Sequence, residues 1–312
     1  MENPLVSIVI ITWNRREEII ATIKIVNGQA YRNFELIVVD NGSEDGTVES
    51  IKRLYPKVKL MALDNNIGVA ARNVGVSAAQ GEIIFFLDSD AGPGQATITN
   101  LVHKFRSDPK IGVINSKIVN ASTNQLDNIA GWSYSEKDKD DQDKEFQSFS
   151  FSEGGAAIRK RVFDDVGLFW EPLFFGCEGF EFSLRVLDAG YDILYYPGSI
   201  VYHRVVQQSR ISGAQRDYLF LRNFLSIYLV RFPWWMLCVF MPLKIGATLI
   251  RGMHRGYLWK VLLSLFDFGR QVPSLLRERR PIKEETARYY WRLQRQHGSL
   301  RWDLFTWLKF KT

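Results

Sequence analysis

Two aspartates separated by one residue, Asp88-Ser89-Asp90, are the strongest chemical signal in the sequence. They follow an apolar run, residues 83–87, whose length and composition predict a buried β-strand. Carboxylates in a turn after a strand can both reach a hard divalent cation, and Mg²⁺ or Mn²⁺ held this way keeps positions open for phosphate oxygens. Because an Asp-x-Asp turn also occurs without a metal, it is the preceding strand that favours metal binding.

A third carboxylate, Asp40, ends a second apolar run and precedes Asn41-Gly42-Ser43. It could accept a hydrogen bond from a base ring N–H or a ribose hydroxyl, or it could simply form the turn. Residues 65–73 open a predicted helix, whose free N–H groups and Arg72 would favour a diphosphate. An ordinary helix with a surface arginine is the alternative.

Strand and helix patterns alternate through the first ninety residues. Predicted strands cover 5–11, 34–39, 58–62 and 82–87, and predicted helices cover about 17–26, 45–54 and 69–79. This alternation predicts a mostly parallel sheet with helices on both faces. Ligands of such sheets bind at the carboxyl ends of the strands. Asp40 and Asp88 each follow a strand, so we expect both to face one crevice.

The composition excludes several classes of protein. With 312 residues, of which 46% are hydrophobic, the chain can form one large α/β domain plus an appendage. Cys177 and Cys238 are too few for a disulfide framework and indicate a reducing compartment. No Cys/His cluster has zinc spacing. The first apolar run lacks a basic leader, so we interpret it as a strand and not as a signal peptide.

The charge is distributed unevenly, which predicts two regions. Residues 1–220 carry a net charge of −6, whereas residues 221–312 carry 17 Lys/Arg against 5 Asp/Glu and six of the nine tryptophans. Basic charge mixed with aromatic residues suits an anionic membrane surface. Nucleic acid is not expected as the partner, because the same region contains long aliphatic runs.

The segment 234–250 is apolar except for Lys244, but its 17 residues are at the lower limit for spanning a bilayer. We therefore expect helices that lie in the membrane interface, at the cytoplasmic face of the cell membrane. The alternative is a helical subdomain that packs on the first domain or on a second copy in a homodimer.

The ordered motifs of the first two-thirds of the chain resemble the inverting family 2 glycosyltransferases of the GT-A fold. Within that family the chain is most similar to rhamnosyltransferase-like enzymes that build surface polysaccharides. The motifs are residues 6–15, 39–43, 66–68, 71–73, 87–90, 154–159, 166–169, 174–185, 189–191 and 202–203. The resemblance implies a GT-A (Rossmann-like) catalytic domain at 1–220. The charge and the apolar runs predict that an α-helical, membrane-associated region follows it at 221–312.

The resemblance also implies roles for individual residues. Asp88 and Asp90 would bind a divalent metal, Mn or Mg, with Asp90 rather than Asp88 as the direct ligand. His203 would either approach the same metal or form a structural hydrogen bond. The donor, a nucleoside-diphosphate sugar, would be bound by Thr12, Asn14, Asp40, Asn66, Gly68, Arg72, Ser89, Gly154 and Gly155. The acceptor would be a glycan or a lipid-linked glycan, and configuration at the transferred sugar would invert.

The sequence departs from the family at the expected general base. Relatives usually carry Glu-Asp-x-Asp at the start of this helix, where this chain has Glu178-Gly179-Phe180-Glu181, and glycine cannot take a proton. We hypothesise that Glu178 replaces the missing base; Glu181 is a second catalytic candidate, although it could instead pair with Arg185 four residues on. A catalytically silent GT-A domain that serves as a scaffold or sensor is one alternative, and a nucleotidyltransferase is another.

Overall fold

The computed structural model describes residues 3–127, 142–204 and 212–296. Within these ranges the strands form one nine-stranded sheet with helices on both faces. The strands are β1 (Val6–Thr12), β2 (Phe34–Asp40), β3 (Lys59–Ala62), β4 (Ile83–Asp88), β5 (Ala91–Pro93), β6 (Ile111–Asn120), β7 (Phe146–Gln147), β8 (Ala156–Arg159) and β9 (Asp192–His203). The helices are α1 (Arg16–Asn27), α2 (Thr47–Leu54), α3 (Ala70–Ala78), α4 (Thr97–Ser107), α5 (Lys160–Val166), α6 (Glu178–Asp188), α7 (Gly213–Arg231), α8 (Trp234–His254), α9 (Leu258–Arg277) and α10 (Glu284–Gln296).

The strand order is β3-β2-β1-β4-β8-β6-β9-β5, with β7 paired to β9. The strands β3, β2, β1 and β4 run parallel, as do β6 and β9, whereas β8 lies antiparallel between β4 and β6. The predicted mostly parallel α/β sheet is therefore confirmed. Thr12 is the register partner of Asp40, and Ile11 is the partner of Asp88, so the ends of β1, β2 and β4 lie side by side.

Side chains on the two faces of the sheet enter two separate cores, because successive residues of a strand point to opposite faces. Val9, Val39 and Phe86 pack in one core, which α3, α5 and α6 cover. Ile8, Val38 and Phe85 pack in the other, which α1, α2 and α4 cover. Both faces of these strands are thus buried, which explains why their sequences are continuous apolar runs.

The helices of the C-terminal region pack on the first of these cores. The aromatic rings of Phe180 and Tyr228 meet edge to face at 6.2 Å, and those of Phe149 and Tyr290 at 6.0 Å. Helix α7 runs without a break across residue 220, so the predicted division at that residue does not coincide with an interruption of secondary structure. Residues 297–312 of the predicted membrane-associated region lie outside the described residues.

Candidate active site

The ends of β1 and β2 carry two buried polar atoms without a hydrogen-bond partner among the described residues, Thr12 Oγ1 and Asp40 Oδ2. The other Asp40 oxygen, Oδ1, accepts a hydrogen bond of 2.9 Å from the Ser43 backbone N–H. An unsatisfied buried acceptor costs roughly 1–3 kcal/mol, so such atoms are typical of a site that a ligand completes. A carboxylate oxygen held this way suits the N–H of a nucleoside base or a ribose hydroxyl.

Asn14, Asn66 and Gly68 shape the loops around this point. Asn14 Oδ1 accepts the Glu44 N–H at 2.8 Å, which ties the loop after β1 to the loop after β2. Asn66 Oδ1 accepts the Gly68 N–H at 2.9 Å, and Gly68 has a φ of +64° that favours glycine. The Asn14 and Asn66 side-chain oxygens are therefore engaged within the protein, where they shape the loops at this edge.

Asp88 and Asp90, as predicted, emerge at the same edge as Asp40, but their surroundings differ. The Asp88 side chain is 45% exposed, and Oδ1 lies 3.6 Å from Arg72 Nη2. Asp90 is buried, with Oδ2 2.5 Å from Arg15 Nη1 and Oδ1 3.4 Å from His203 Nε2. Asp88 is thus the carboxylate open to a ligand, whereas Asp90 is anchored. Ser89 between them is buried, and its carbonyl accepts the Thr22 hydroxyl at 2.7 Å.

His203 joins two aspartates that lie far apart in the sequence. Its Nδ1 lies 2.6 Å from Asp127 Oδ2, which directs Nε2 toward Asp90. Burial by itself lowers the pKa of His203, but the hydrogen bonds with Asp127 and Asp90 outweigh it and raise the pKa to about 9. A carboxylate behind a histidine is also the usual arrangement around a metal ligand, so both roles predicted for His203 agree with this geometry.

The exposed Asp88 carboxylate fits a divalent cation, whereas Asp90, which the resemblance implied as the direct ligand, is already paired with Arg15. Gly154 packs against Asp88 Oδ2: an added side chain would overlap this oxygen and lie 2.8 Å from the Asp88 Cγ, so only a glycine fits beside the carboxylate. Gly155 instead lies against Ile118 in the core. Over the described ranges no group of three or more His, Cys, Asp or Glu side chains is arranged to hold a metal ion.

A second cluster lies beside Asp88 at the start of α6. Arg72 Nη1 lies 3.0 Å from Glu178 Oε1, so Arg72 connects Glu178 to Asp88. Glu178 is buried, and its Oε2 has no partner among the described residues. The Gly179 N–H donates to Oε1 of Glu153, a carboxylate that the sequence analysis did not select. Its only sequence signal is its place directly before Gly154-Gly155.

The Glu153 and Glu178 carboxylates repel each other when both are charged. Burial, followed by the repulsion of the Glu178 carboxylate, raises the pKa of Glu153 to about 8. Arg72 opposes this shift without cancelling it. A Glu153 carboxyl with a pKa of about 8 can gain or lose its proton near neutral pH, as groups in acid–base sites do.

Glu181 lies in a different setting and matches the ion-pair alternative instead of a catalytic role. It is fully buried, with Oε2 2.7 Å from Arg185 Nη2 and Oε1 2.7 Å from Arg231 Nε. Arg231 belongs to α7, so Glu181 joins the C-terminal helices to the sheet domain. Both carboxylate oxygens are engaged by guanidinium groups, which leaves neither one for an acceptor proton.

Helix α7 also fixes the segment that leads into this cluster. The Asn223 side-chain amide donates to the carbonyls of Leu173, Phe175 and Gly176, each at 2.9 Å. The Phe174 carbonyl accepts the Val69 N–H at 2.8 Å, at the start of α3. Phe174 and Phe175 remain exposed on the surface. Residues 173–176 are therefore hydrogen-bonded both to α7 and to the start of α3, and they carry two exposed aromatic rings.

Comparison with known proteins agrees with this architecture. The sequence profile of Glycosyl transferase family 2 matches residues 7–167. Glycosyltransferase AglE of Haloferax volcanii is 29% identical over 204 residues, which are 62% of this chain and 64% of the relative. The UDP-Glc:alpha-D-GlcNAc-diphosphoundecaprenol beta-1,3-glucosyltransferase WfaP of Escherichia coli is 34% identical over 102 residues, 32% of this chain and 40% of that protein. The match thus spans less than two thirds of each relative.

Two solved structures share the fold. GalNAc-T7, determined with UDP, GalNAc and Mn2+, superposes with a TM-score of 0.60 over 75% of this chain and 49% of its own length, at 20% identity. The mannosyltransferase PcManGT of Pyrobaculum calidifontis, in complex with GDP-Man and Mn2+, superposes with a TM-score of 0.57 over 98% of this chain and 88% of its own length, at 16% identity. Since the family profile covers more than half of the sequence, and the GT-A fold agrees with it, the chain belongs to glycosyl transferase family 2.

Proposed function

We propose that the chain transfers a hexosyl unit from a nucleoside-diphosphate sugar to a hydroxyl group of a glycan or lipid-linked glycan, with inversion, in the synthesis of a surface polysaccharide. The observation that carries this proposal is the convergence of Asp40 and Asp88 at one edge of the sheet, where Asp40 Oδ2 is buried without a partner. The names of relatives support it, since the Escherichia coli relative uses UDP-Glc and a diphosphoundecaprenol-linked acceptor.

The donor would lie across the ends of β1, β2 and β4. Asp40 and Thr12 would bind the nucleoside, and Arg72 would attract the diphosphate, because its guanidinium lies 3.6 Å from the open Asp88 carboxylate. Asp88 and Asp90, with His203 behind them, would hold a divalent cation, Mn or Mg. When bound, such a cation neutralises negative charge on the departing diphosphate.

The transfer would be a single displacement. The acceptor oxygen bonds to the anomeric carbon while the bond from that carbon to the diphosphate oxygen breaks, and the electron pair leaves with the nucleoside diphosphate. One displacement without a covalent enzyme intermediate inverts the configuration. A carboxylate must take the acceptor proton as the bond forms, and Glu178 was the residue that the sequence indicated.

A thermal-shift screen of UDP-sugars and GDP-mannose, with and without Mn²⁺, tests the donor site directly. We expect one donor to stabilise the native protein by about 2.7 kcal/mol at a hundredfold excess over its Kd. Asp40→Asn should remove most of this shift, because its amide N–H₂ cannot accept a hydrogen bond at the Oδ2 position. Asp164→Asn, an exposed aspartate of α5, is the matched control and should retain it.

Each other outcome of the screen has a distinct meaning. Stabilisation by nucleoside triphosphates but not by diphosphate sugars would support a nucleotidyltransferase instead. A donor that stabilises the protein but is never transferred or hydrolysed would support a catalytically silent scaffold, the alternative suggested by the glycine at position 179. Equal shifts in Asp40→Asn and the wild type would refute the role proposed for Asp40.

We also propose that α8 and α9 rest on an anionic membrane surface at the cytoplasmic face, next to a lipid-linked acceptor. Among the described helices, only α8 is long and apolar enough to cross a membrane, with a mean hydropathy of 1.4 and 28% of its apolar window buried. Helix α9 exposes large apolar side chains at helical spacing, which places them on one face: Trp259, Leu262, Leu263 and Phe266. Exposed basic residues, Arg255 and Arg270, flank this face.

Flotation with liposomes tests the membrane proposal. The full-length chain should float with anionic vesicles more than with neutral ones, and Leu262→Glu/Phe266→Glu should lose at least tenfold in binding, because burying each charge opposes partition into the interface. Leu54→Glu/Leu168→Glu adds the same two charges at exposed leucines of the first domain and should still float. If the wild type does not float but forms a homodimer, and the α9 variant is monomeric, this face is a dimer interface instead of a membrane contact.

A further inference from the structure

The space that a side chain at position 179 would occupy already holds a carboxylate, that of Glu153. An added Cβ at Gly179 would overlap Glu153 Oε1 and lie 2.7 Å from the backbone oxygen of Phe151. The Gly179 N–H donates to the same Glu153 oxygen, which fixes this carboxylate against the first turn of α6. A chain segment 26 residues earlier thus supplies a carboxylate where the α6 sequence has none.

Glu178 is the less suitable proton acceptor of the two neighbouring glutamates. Its Oε1 pairs with the Arg72 guanidinium at 3.0 Å, and the whole side chain is 7% exposed. A guanidinium keeps its charge at all relevant pH values, so Glu178 Oε1 is held in an ion pair and is not open to an acceptor proton. Glu153 is partly exposed, whereas Glu178 is buried and paired with Arg72, so Glu153 is the more open of the two to an acceptor from solution.

The backbone of Glu153 also lies beside the open end of the proposed donor site. Its next neighbour, Gly154, is packed against Asp88 Oδ2 so closely that any side chain would overlap that oxygen. Arg72 contacts both Glu178 and Asp88. The proposed diphosphate site and the Glu153 carboxylate therefore border one crevice. An in-line displacement places the acceptor and the diphosphate on opposite sides of the anomeric carbon, so the sugar would lie between them.

We propose, resting on the function above, that Glu153 is the catalytic base and that Glu178 is a positioning residue. In this step the acceptor hydroxyl proton moves to the free oxygen of Glu153 as the acceptor oxygen bonds to the anomeric carbon, and the electron pair of the breaking bond leaves with the nucleoside diphosphate. Glu153 then releases the proton to solvent. Glu178 contributes its negative charge, which makes Glu153 a stronger base, and holds Arg72 beside the diphosphate.

Turnover of paired variants tests the assignment. With the donor found in the thermal-shift screen, and with a polyprenyl-diphosphate-linked GlcNAc as the probe acceptor, we expect Glu153→Gln to lower kcat by roughly 10²–10⁴-fold at unchanged donor affinity. Glu178→Gln should weaken donor binding as well, because it frees Arg72. Added formate should restore part of the turnover of Glu153→Ala, which a purely structural role for Glu153 would not allow.

The stability of the same variant provides a readout that is independent of turnover. The charged or titratable groups that face Glu153 are Glu178, Arg72 and Cys177. Since the pKa of Glu153 is higher in the folded than in the unfolded chain, the folded state loses stability as pH rises from about 4.5 to about 8. Glu153→Gln should therefore unfold at a higher temperature than the wild type at pH 8 and at nearly the same temperature at pH 5.

The possible results separate this inference from the proposed function. A wild type that neither binds nor turns over any donor overturns the proposed function, and the assignment of Glu153 with it. A wild type that transfers sugar, together with Glu153→Gln at near-normal kcat and Glu178→Gln without turnover, overturns only the inference and returns the base to Glu178. Loss of turnover in Glu153→Gln with lowered thermal stability at pH 8 would make Glu153 structural.

Discussion

Asp88→Asn is expected to lower sugar transfer by about 10²–10³-fold and to leave the stability of the fold unchanged, since charge neutralisation by a bound cation is worth several kcal/mol. The Asp88 side chain is 45% exposed, and its nearest cation is Arg72 Nη2 at 3.6 Å, so the folded protein depends little on its charge. Its proposed task, to hold a cation beside the diphosphate, depends on that charge directly. Initial rates across a Mn²⁺ titration, with thermal unfolding in parallel, measure both quantities.

Asp164→Asn again provides the matched control, because it removes a carboxylate from an exposed position on α5. The control should keep both its rate and its dependence on Mn²⁺. If Asp88→Asn kept wild-type rates at every Mn²⁺ concentration, the proposed metal site would be wrong. A loss of rate that is accompanied by unfolding would instead assign Asp88 a structural role.

Glu181→Gln is expected to lower the free energy of unfolding by about 3–5 kcal/mol, the range found when one partner of a buried ion pair is removed. The glutamine retains the size of the side chain but leaves the guanidinium groups of Arg185 and Arg231 without a buried counter-charge. Because Arg231 lies on α7, the loss should also loosen the C-terminal helices. Urea unfolding measured by circular dichroism gives the change.

Glu17→Gln breaks an exposed ion pair with Arg16 and is the control for this experiment. An exposed pair of this kind contributes about 0–1 kcal/mol, so this variant should unfold close to the wild type. A Glu181→Gln protein with native stability and no turnover would return Glu181 to the catalytic candidates. Native stability with normal turnover would show that the ion pairs of Glu181 do not stabilise the fold.

The part of the fold nearest the proposed donor site was predictable because its signals are local. The runs that form β1, β2 and β4 are mainly apolar, and each ends at a polar residue at the sheet edge. Parallel strands connected by helices bring such ends together, so the proximity of Asp40 and Asp88 followed from chain order. The helices α1 and α3 were likewise placed within a residue or two of their observed ends.

Features that depend on contacts between distant segments were not predictable. The short strand β8 pairs antiparallel with both β4 and β6, and no pattern within its four residues specifies that position. The contact of His203 with Asp127, 76 residues earlier in the chain, is of the same kind. So is the contact of Glu181 with Arg231, 50 residues later. Sequence spacing reveals neighbours on one helix, such as Glu181 and Arg185, but not partners on another element.

Gly179 shows how a missing side chain can mislead when only one segment is considered. In the sequence it is a lost carboxylate, which raises the question of a silent domain. In the structure it is the residue that lets Glu153 and the Phe151 carbonyl approach α6, because no side chain would fit there. The carboxylate of Glu153, on a different segment, lies against Gly179.

Crystals grown with UDP and Mn²⁺, examined by anomalous diffraction at the manganese edge, test the central claim most directly. The proposed function predicts one strong anomalous peak about 2.0–2.3 Å from a carboxylate oxygen of the Asp88/Asp90 pair, with the uracil ring against Asp40 and the diphosphate beside Arg72. A manganese peak far from the ends of β1, β2 and β4, or UDP bound on another face of the sheet, would contradict it.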